Sequence, residues 1–256
     1  MRLTMLGVGS SAGTPMIGCQ CSTCLSTDKR NHRTRCSSAI TLDNGKVILI
    51  DTGPDLRQQA LREGLMNVDA VLYTHTHADH LHGIDDLRAY CQRQRCQIPL
   101  YGSPEAMRHI ADKFGYTLRE AGDFWDLPIL KVNPVVESFT IFDQTITPIP
   151  IKHGHSDIYG YRIGNLVYLT DVSAIPESSM PLLSNIDVLL LDCLRITPHY
   201  THINLEQSLA LAGRIGAKST YLIHMTHDLE YSKLKAQLPS NVYVGYDGLK
   251  INLDNI

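Results

Sequence analysis

The segment "YTHTHADHLHG" (residues 73–83) constrains this chain more than any other. Four ligand-type side chains, His75, His77, Asp79 and His80, fall within six residues directly behind the apolar run Ala70–Tyr73. On a loop or tight turn, an H-x-H pair can turn both imidazoles toward one ion, and the Asp-His that follows supplies a second set. Imidazole and carboxylate suit Zn2+, Mn2+ or Fe2+, so the ligand types alone do not name the metal. The set is also incomplete. A fold that uses it must bring further ligands to the same edge from distant parts of the chain.

The pattern of the chain offers such ligands. "RLTMLG", "SSAITLD", "KVILIDTG" and "VDAVLYTH" read as strands, and "DLRQQALREGL" has helical spacing that stops at Gly64. "GIDDLRAYCQRQ" reads as a helix, "IPLYG" as a strand, and "SPEAMRHIADKFG" as a helix with Ser103 as N-cap and Pro104 in its first turn. Strand patterns dominate residues 129–170. After them "IDVLLLDC" and "STYLIHMTH" (strands) alternate with "LEQSLALAGRIGA" and "LEYSKLKAQL" (helices). "VYVGYDGLKINL" closes the chain with a turn at Asp247-Gly248. Strands alternating with helices imply a layered α/β architecture with chemistry at strand ends, and without a linker or repeat the expectation is one domain, 1–256. Substrate-selecting loops are expected in residues 103–143, around Trp125.

Three strands end in a ligand type: "TPIPIKH" in His153, "LVYLTD" in Asp171 and "STYLIH" in His224. Together they supply what two metals would still lack, one more His for each and a carboxylate to bridge them. Two cations roughly 3.5–4 Å apart lower the pKa of a bridging water and stabilise the charge of an in-line displacement. "KHGHS" leaves His155 as an alternative to His153, although His153 follows the alternating strand directly. His82 and His109 read as supporting or surface residues.

The H-x-H-x-D-H motif, followed in order by a strand-end His, Asp and His, resembles the metallo-β-lactamase superfamily, and the likeness runs the length of the chain. It implies a four-layer αβ/βα sandwich, two mixed β-sheets flanked by helices, with a dinuclear site on its edge. By that likeness His75, His77 and His153 hold the first metal, Asp79, His80 and His224 hold the second, and Asp171 bridges them. Asp51 in "LIDTG" would orient a ligand histidine; on the residues alone it reads equally as a turn cap.

A second cluster, "GCQCSTC", puts Cys19, Cys21 and Cys24 within six residues. A redox motif wants a preceding apolar strand, which is missing. The remaining reading is a structural Zn2+ with three thiolates and one more ligand. His227 in "LIHMTHD" lies three residues beyond His224 and is the candidate. "GVGSSAGTPMIGCQCSTC" with His227, "VGYDGLKI" and "THINLEQSL" resemble the PhnP-type branch of phosphodiesterases, which includes the phosphoribosyl cyclic-phosphate phosphodiesterase. By resemblance His202 is the non-ligand active-site histidine, donating a proton to the leaving oxygen or holding developing phosphoryl charge; His199 in the same loop is the alternative. The loop Gly7–Gly13 lacks the pattern of a Walker A or dinucleotide site and reads as a tight turn.

The expected function is therefore a dinuclear-metal phosphodiesterase acting on a small cyclic or nucleotide-like phosphodiester through a metal-bridging hydroxide, with Asp79 and His202 essential. Its cofactors are two divalent catalytic metals (Zn2+ or Mn2+) and one structural Zn2+. The alternatives are a tRNA 3′-processing endonuclease, a thioester hydrolase, and a non-catalytic ligand carrier. A net charge of −3 argues against a nucleic-acid partner. The start of the chain is too short and Gly-rich in its apolar run for a signal peptide, and no run nears the roughly 18 apolar residues of a membrane span. Seven Cys without framework spacing read as reduced thiols, hence an expected cytoplasmic location and no membrane partner. A homodimer is left open.

Overall fold

The computed structural model describes residues 1–119 and 129–253; Trp125 lies outside the described residues. Along the chain run β1 (Arg2–Gly7), β2 (Ser37–Thr41), β3 (Val47–Ile50), α1 (Leu56–Glu63), β4 (Ala70–Leu72), α2 (Ala78–Leu81) and α3 (Leu87–Gln94). Next come β5 (Ile98–Gly102), α4 (Pro104–Lys113), β6 (Leu130–Pro134), β7 (Phe139–Ile141), β8 (Gln144–His153), β9 (Ser156–Ile163) and β10 (Leu166–Leu169). The last elements are β11 (Val188–Asp192), α5 (Leu205–Ile215), β12 (Ser219–Ile223), α6 (Tyr231–Lys235), β13 (Val242–Val244) and β14 (Lys250–Asn252).

The strands form two seven-stranded sheets, ordered β14-β1-β2-β3-β4-β5-β6 and β13-β12-β11-β10-β9-β8-β7. In each sheet the four strands that carry helical crossovers are parallel, β3 to β6 and β10 to β13, and the rest are antiparallel. The apolar runs explain the layering. In β3, Ile48 and Ile50 point into the core shared by the two sheets, while Val47 and Leu49 join the core under α1, α3 and α4. A strand buried on both faces has no polar alternation, which is why "VILI" reads as a continuous run. The expected sandwich of mixed sheets is the observed fold.

Local signals mostly act where expected. Gly64 ends α1 with a left-handed φ of 61°, and Ser103 caps α4 by accepting from the Ala106 N–H at 3.1 Å. Two details differ. Ala78–Leu81 of the ligand segment is a short helix rather than an open loop. Helix α6 spans Tyr231–Lys235 rather than the whole of "LEYSKLKAQL". Its end tightens into i to i−3 bonds, and Pro239 disfavours helix at Leu238. The Asp247-Gly248 turn lies where expected, and its strands join different sheets: β13 pairs with β12 in one, and β14 pairs with β1 in the other. The turn therefore carries the chain across the sandwich.

The short α2 is held close to the end of β3. The Thr52 N–H donates to the His80 carbonyl at 2.8 Å, and the Gly83 N–H donates to the Thr52 carbonyl at 2.8 Å. A Cβ at Gly83 would lie 2.0 Å from the Gly53 carbonyl oxygen, which belongs to rigid backbone. Gly83→Ala is therefore expected to destabilise the protein by about 1–3 kcal/mol, as overpacking does. Urea unfolding checks this; an unchanged midpoint would show that the contact relaxes freely.

Candidate metal centre

The strand ends converge as the pattern requires. Asp51 follows β3, His75 lies just past β4, His153 ends β8, Asp171 follows β10, Asp192 ends β11 and His224 follows β12. Three of these residues leave their strands with left-handed backbone, Asp51 (φ 61°), Asp171 (φ 57°) and His224 (φ 58°). Such a conformation costs a non-glycine residue about 1–3 kcal/mol and persists where the surroundings enforce it. Here it turns each side chain off its strand toward the cluster of His and Asp side chains.

The ligand-type atoms fall into overlapping groups. His75, His77 and His153 place their ring nitrogens within 4.8 Å of one another, and so do the donor atoms of Asp79, His80 and His224. Asp171 lies between the groups: its Oδ1 is 3.9 Å from His75 Nε2, and its Oδ2 is 3.2 Å from His80 Nε2 and 3.5 Å from His224 Nε2. His80 Nε2 also approaches Asp79 Oδ2 at 3.3 Å. His153, rather than His155, joins His75 and His77; His155 is exposed in the turn between β8 and β9. His82 ends α2 against the ring of Phe114.

The far side of several rings is fixed. His80 Nδ1 bonds Asp51 Oδ2 at 2.7 Å, and Asp51 also accepts from the Thr74 N–H (2.8 Å) and hydroxyl (2.7 Å). His153 Nδ1 donates to the Thr201 carbonyl at 3.0 Å. Asp51 thus fixes the orientation of the His80 ring, and its contacts to Thr74 hold the carboxylate in place. His80 Nδ1 is held by Asp51 and His75 Nδ1 lies 3.0 Å from the Thr74 hydroxyl, yet the Nε2 atoms of His75, His80 and His224, and His224 Nδ1 as well, are buried with no hydrogen-bond partner. Buried unpartnered nitrogens that converge on two carboxylates fit divalent cations, because an ion satisfies every one of them at once.

The electrostatics agree with that fit. Burial alone would raise Asp171, but the His224 and His80 rings outweigh it and hold the carboxyl well below its usual range. Asp79 behaves likewise: burial is overcome by His224 and His80. Burial would lower His80, yet Asp171 and Asp51 push it well above the ordinary imidazole value. Burial keeps His75 and His153 low. Acidic neighbours thus favour positive charge at the centre of the pocket, and burial disfavours it on His75 and His153.

Two neighbours complete the site. His202, buried on the loop before α5, has Nε2 3.7 Å from Asp171 Oδ1 and Nδ1 3.1 Å from Asp192 Oδ2. Asp192 is fully buried and also accepts from the Val172 N–H at 3.0 Å. Burial raises its pKa, and its Oδ1 lies 3.6 Å from His224 Nδ1. Sequence reasoning missed Asp192, although "IDVLLLD" ends in an acid just as "LVYLTD" does. A polar cleft of about 320 Å³ opens beside His77 and His153, between Ser103 and Glu105 at the start of α4 and Ser156 and Asp157 at the start of β9.

The second cluster forms on the neighbouring loop. The sulfurs of Cys19, Cys21 and Cys24 lie 3.2, 3.4 and 3.4 Å from a single atom, His227 Nδ1. One ring nitrogen has one lone pair or one proton, so it cannot bond all three; a four-ligand ion at their centre can. The Cys24 backbone N–H pulls the Cys21 thiol down to about 6, while burial pushes Cys24 up to about 11. The loop is clamped independently of any ion. The buried Arg33 donates to the carbonyls of Thr226 (2.9 Å) and Leu229, and Asn31 bonds Glu230 and the Tyr231 N–H. In the Gly7–Gly13 loop the Gly9 and Ser10 N–H groups donate to the Thr34 and Met225 carbonyls, and the Val8 N–H donates to Asp247 Oδ1 at 3.1 Å.

Comparison with known proteins places this arrangement. Residues 46–225 match the family model described as "Beta-lactamase superfamily domain". The crystal structure of a new diphosphatase from the PhnP family is 41% identical, with a TM-score of 0.91 over 98% of this chain and 97% of that one. The octanoyltransferase of Porphyromonas gingivalis (strain ATCC BAA-308 / W83) is 38% identical over 99% of this chain and 52% of its own length. Zn2+-bound PqqB from Methylobacterium extorquens superposes with a TM-score of 0.81 at 20% identity, over 99% of this chain and 100% of that one, a likeness of fold. The chain spans about half the length of the curated relatives it matches.

The thiol cluster makes a direct prediction. Metal analysis of His227→Ala is expected to show about one ion per chain less than the unaltered protein, because a closed site loses its ion with a ligand. Melting temperature is expected to fall with it. Unchanged metal content and melting temperature in Cys21→Ser would contradict the site.

Proposed function

The chain belongs to the beta-lactamase superfamily, within it to the PhnP family, and from that premise we propose that it is a metal-dependent hydrolase of small phosphodiesters. His75, His77 and His153 would hold one divalent ion, Zn2+ or Mn2+, and Asp79, His80 and His224 a second, with Asp171 between them. Bound there, such a pair supplies Lewis acidity, making a water nucleophilic at neutral pH and screening phosphoryl charge. Cys19, Cys21, Cys24 and His227 would hold a structural Zn2+, since thiolate-rich tetrahedral sets favour that ion.

The protein's own groups then divide the work. Asp51 holds His80 in one orientation, and the Thr201 carbonyl does the same for His153. His202 donates a proton from Nε2 to the departing alkoxide oxygen, while Asp192 fixes its Nδ1. The observation that carries the reading is this imidazole: it is held by a buried carboxylate, its Nε2 is 3.7 Å from Asp171, and it lies outside both proposed ligand sets. A general acid in that position is required when the leaving group is a poor one.

The PhnP-family diphosphatase supports a second reading, cleavage of a P–O–P linkage in a diphosphate. There the leaving group is a phosphate, which needs less help from an acid. The P. gingivalis protein is named for acyl transfer, but this chain spans 52% of it, and the His/Asp set here has the form of a hydrolytic centre.

Kinetics separate these readings. Asp79→Ala is expected to abolish turnover of every substrate while circular dichroism stays that of the folded protein. His202→Ala is expected to lower kcat by about 10²–10⁴ on a diester with an alkyl leaving group. The loss should be much smaller on bis(p-nitrophenyl) phosphate, whose leaving group needs no proton. Equal losses on both substrates would remove the general-acid role. A metal-loaded protein that cleaves diphosphates but no diester would favour the second reading.

A further inference from the structure

The buried imidazoles of the centre are not held alike. His80 has Asp51 behind its ring, His153 has the Thr201 carbonyl, and His75 Nδ1 lies 3.0 Å from the Thr74 hydroxyl. His224 is buried as deeply, yet neither of its ring nitrogens has a hydrogen-bond partner. Asp192 Oδ1 stands 3.6 Å from its Nδ1, beyond hydrogen-bond reach. The ring stacks on His202 with centroids 4.9 Å apart and planes 12° from parallel, a contact that leaves rotation within the plane free. The direction of His224 Nε2 therefore depends on its backbone, which leaves β12 at a φ of 58°.

That backbone is pinned by the segments around it. The Met225 N–H donates to the Val8 carbonyl at 2.9 Å, the Ser10 N–H to the Met225 carbonyl at 3.1 Å, and the Thr226 N–H to the Leu194 carbonyl at 2.9 Å. Beyond Thr226 the chain turns. Residues 226–229 close on a bond of 3.4 Å from the Leu229 N–H to the Thr226 carbonyl, longer than an ordinary N–H···O contact. His227 stands in this turn, against the three sulfurs. Arg33 supplies what the turn lacks. Its Nη1 donates to the Thr226 carbonyl at 2.9 Å and its Nη2 to the Leu229 carbonyl, so one guanidinium spans both ends of the turn.

Arg33 is 1% exposed, and its backbone pairs with Thr14 in both directions, at 2.7 and 2.9 Å, where the cysteine loop leaves and returns. Among the described residues no carboxylate pairs with the guanidinium, and Nε has no partner. A buried cation is costly unless its donors are used, and the donors used here are those that face the turn. We infer that Arg33 is a positioning residue for both metal centres: by fixing residues 226–229 it holds His227 against the thiols and sets the backbone from which His224 meets the second proposed ion. The inference rests on the ligand sets proposed above and not on the substrate. Without the guanidinium, two buried carbonyls lose their donor and the turn keeps one long bond. His227 and His224 share that disturbance, because only Met225 and Thr226 separate them. His75, His77 and His153 lie on other segments and are spared.

Cobalt titration of the metal-free protein tests this without turnover. Co2+ at the thiols gives sulfur-to-metal charge transfer in the near ultraviolet, and Co2+ at the His/Asp centre gives weaker visible bands in two steps. In Arg33→Met the charge-transfer band and one visible step are expected to need about tenfold more Co2+, the scale of losing an outer partner of a metal ligand. The other visible step, the ion of His75, His77 and His153, is expected to stay. Val188→Ala opens a cavity at the far end of β11 and controls for lost stability alone; it is expected to leave every step in place. Equal shifts in both visible steps, no shift in either, or the same shifts in Val188→Ala would overturn the inference. If Arg33→Met does not fold, Arg33→Lys keeps the cation without the fork that spans two carbonyls. It is expected to show the same pair of shifts, and unmoved steps in it would overturn the inference equally. An unaltered protein with no charge-transfer band or no visible steps would remove the ligand assignments themselves, and the inference with them.

Discussion

The carboxylate of Asp51 is the contact on which the rest of the site depends. It is fully buried, it leaves β3 with a left-handed backbone, and it accepts from the Thr74 N–H, the Thr74 hydroxyl and the His80 ring. Those bonds tie together the ends of two neighbouring parallel strands and the short helix that carries Asp79 and His80. Burying a carboxylate is costly unless its oxygens are satisfied, and here each bond that satisfies it also positions a ligand or its neighbour. Without that carboxylate, His80 has nothing to hold its far nitrogen, and Thr74, beside His75, loses its anchor.

The second sheet repeats the device. Asp192, at the end of β11, is buried and accepts from the Val172 N–H and His202 Nδ1, and lies near His224. Each half of the sandwich thus supplies one buried acid behind its working histidines. The two halves meet at Asp171, whose oxygens face His75 on one side and His80 and His224 on the other. The imidazoles crowd those carboxylates, and the unpartnered Nε2 atoms of His75, His80 and His224 offer bonding that a cation would satisfy.

Much of this was legible in the sequence, for identifiable reasons. Buried parallel strands leave apolar runs, and ligands at their ends stand out against such runs, so His153, Asp171 and His224 could be picked from "IPIKH", "LVYLTD" and "STYLIH". Capping signals located α1 and α4. Asp192 was not picked, because an acid at a strand end becomes informative only when its partner is known, and His202 reaches it through a loop. Nor did spacing show that the Asp247-Gly248 turn joins two sheets, since a turn looks the same whether the next strand returns or crosses. The choice of His153 over His155 needed the extent of β8, which runs to residue 153 and stops there.

The thiol loop adds a separate constraint. His227 lies three residues beyond His224, so one segment serves both clusters, and Arg33 and Asn31 hold the cysteine loop against it. Anomalous X-ray diffraction from crystals of the zinc-loaded protein tests the central claim most directly. The account predicts a pair of peaks about 3.5–4 Å apart astride the Asp171 carboxylate, and a third among Cys19, Cys21, Cys24 and His227. A peak at the thiols with none beside Asp171 would contradict it.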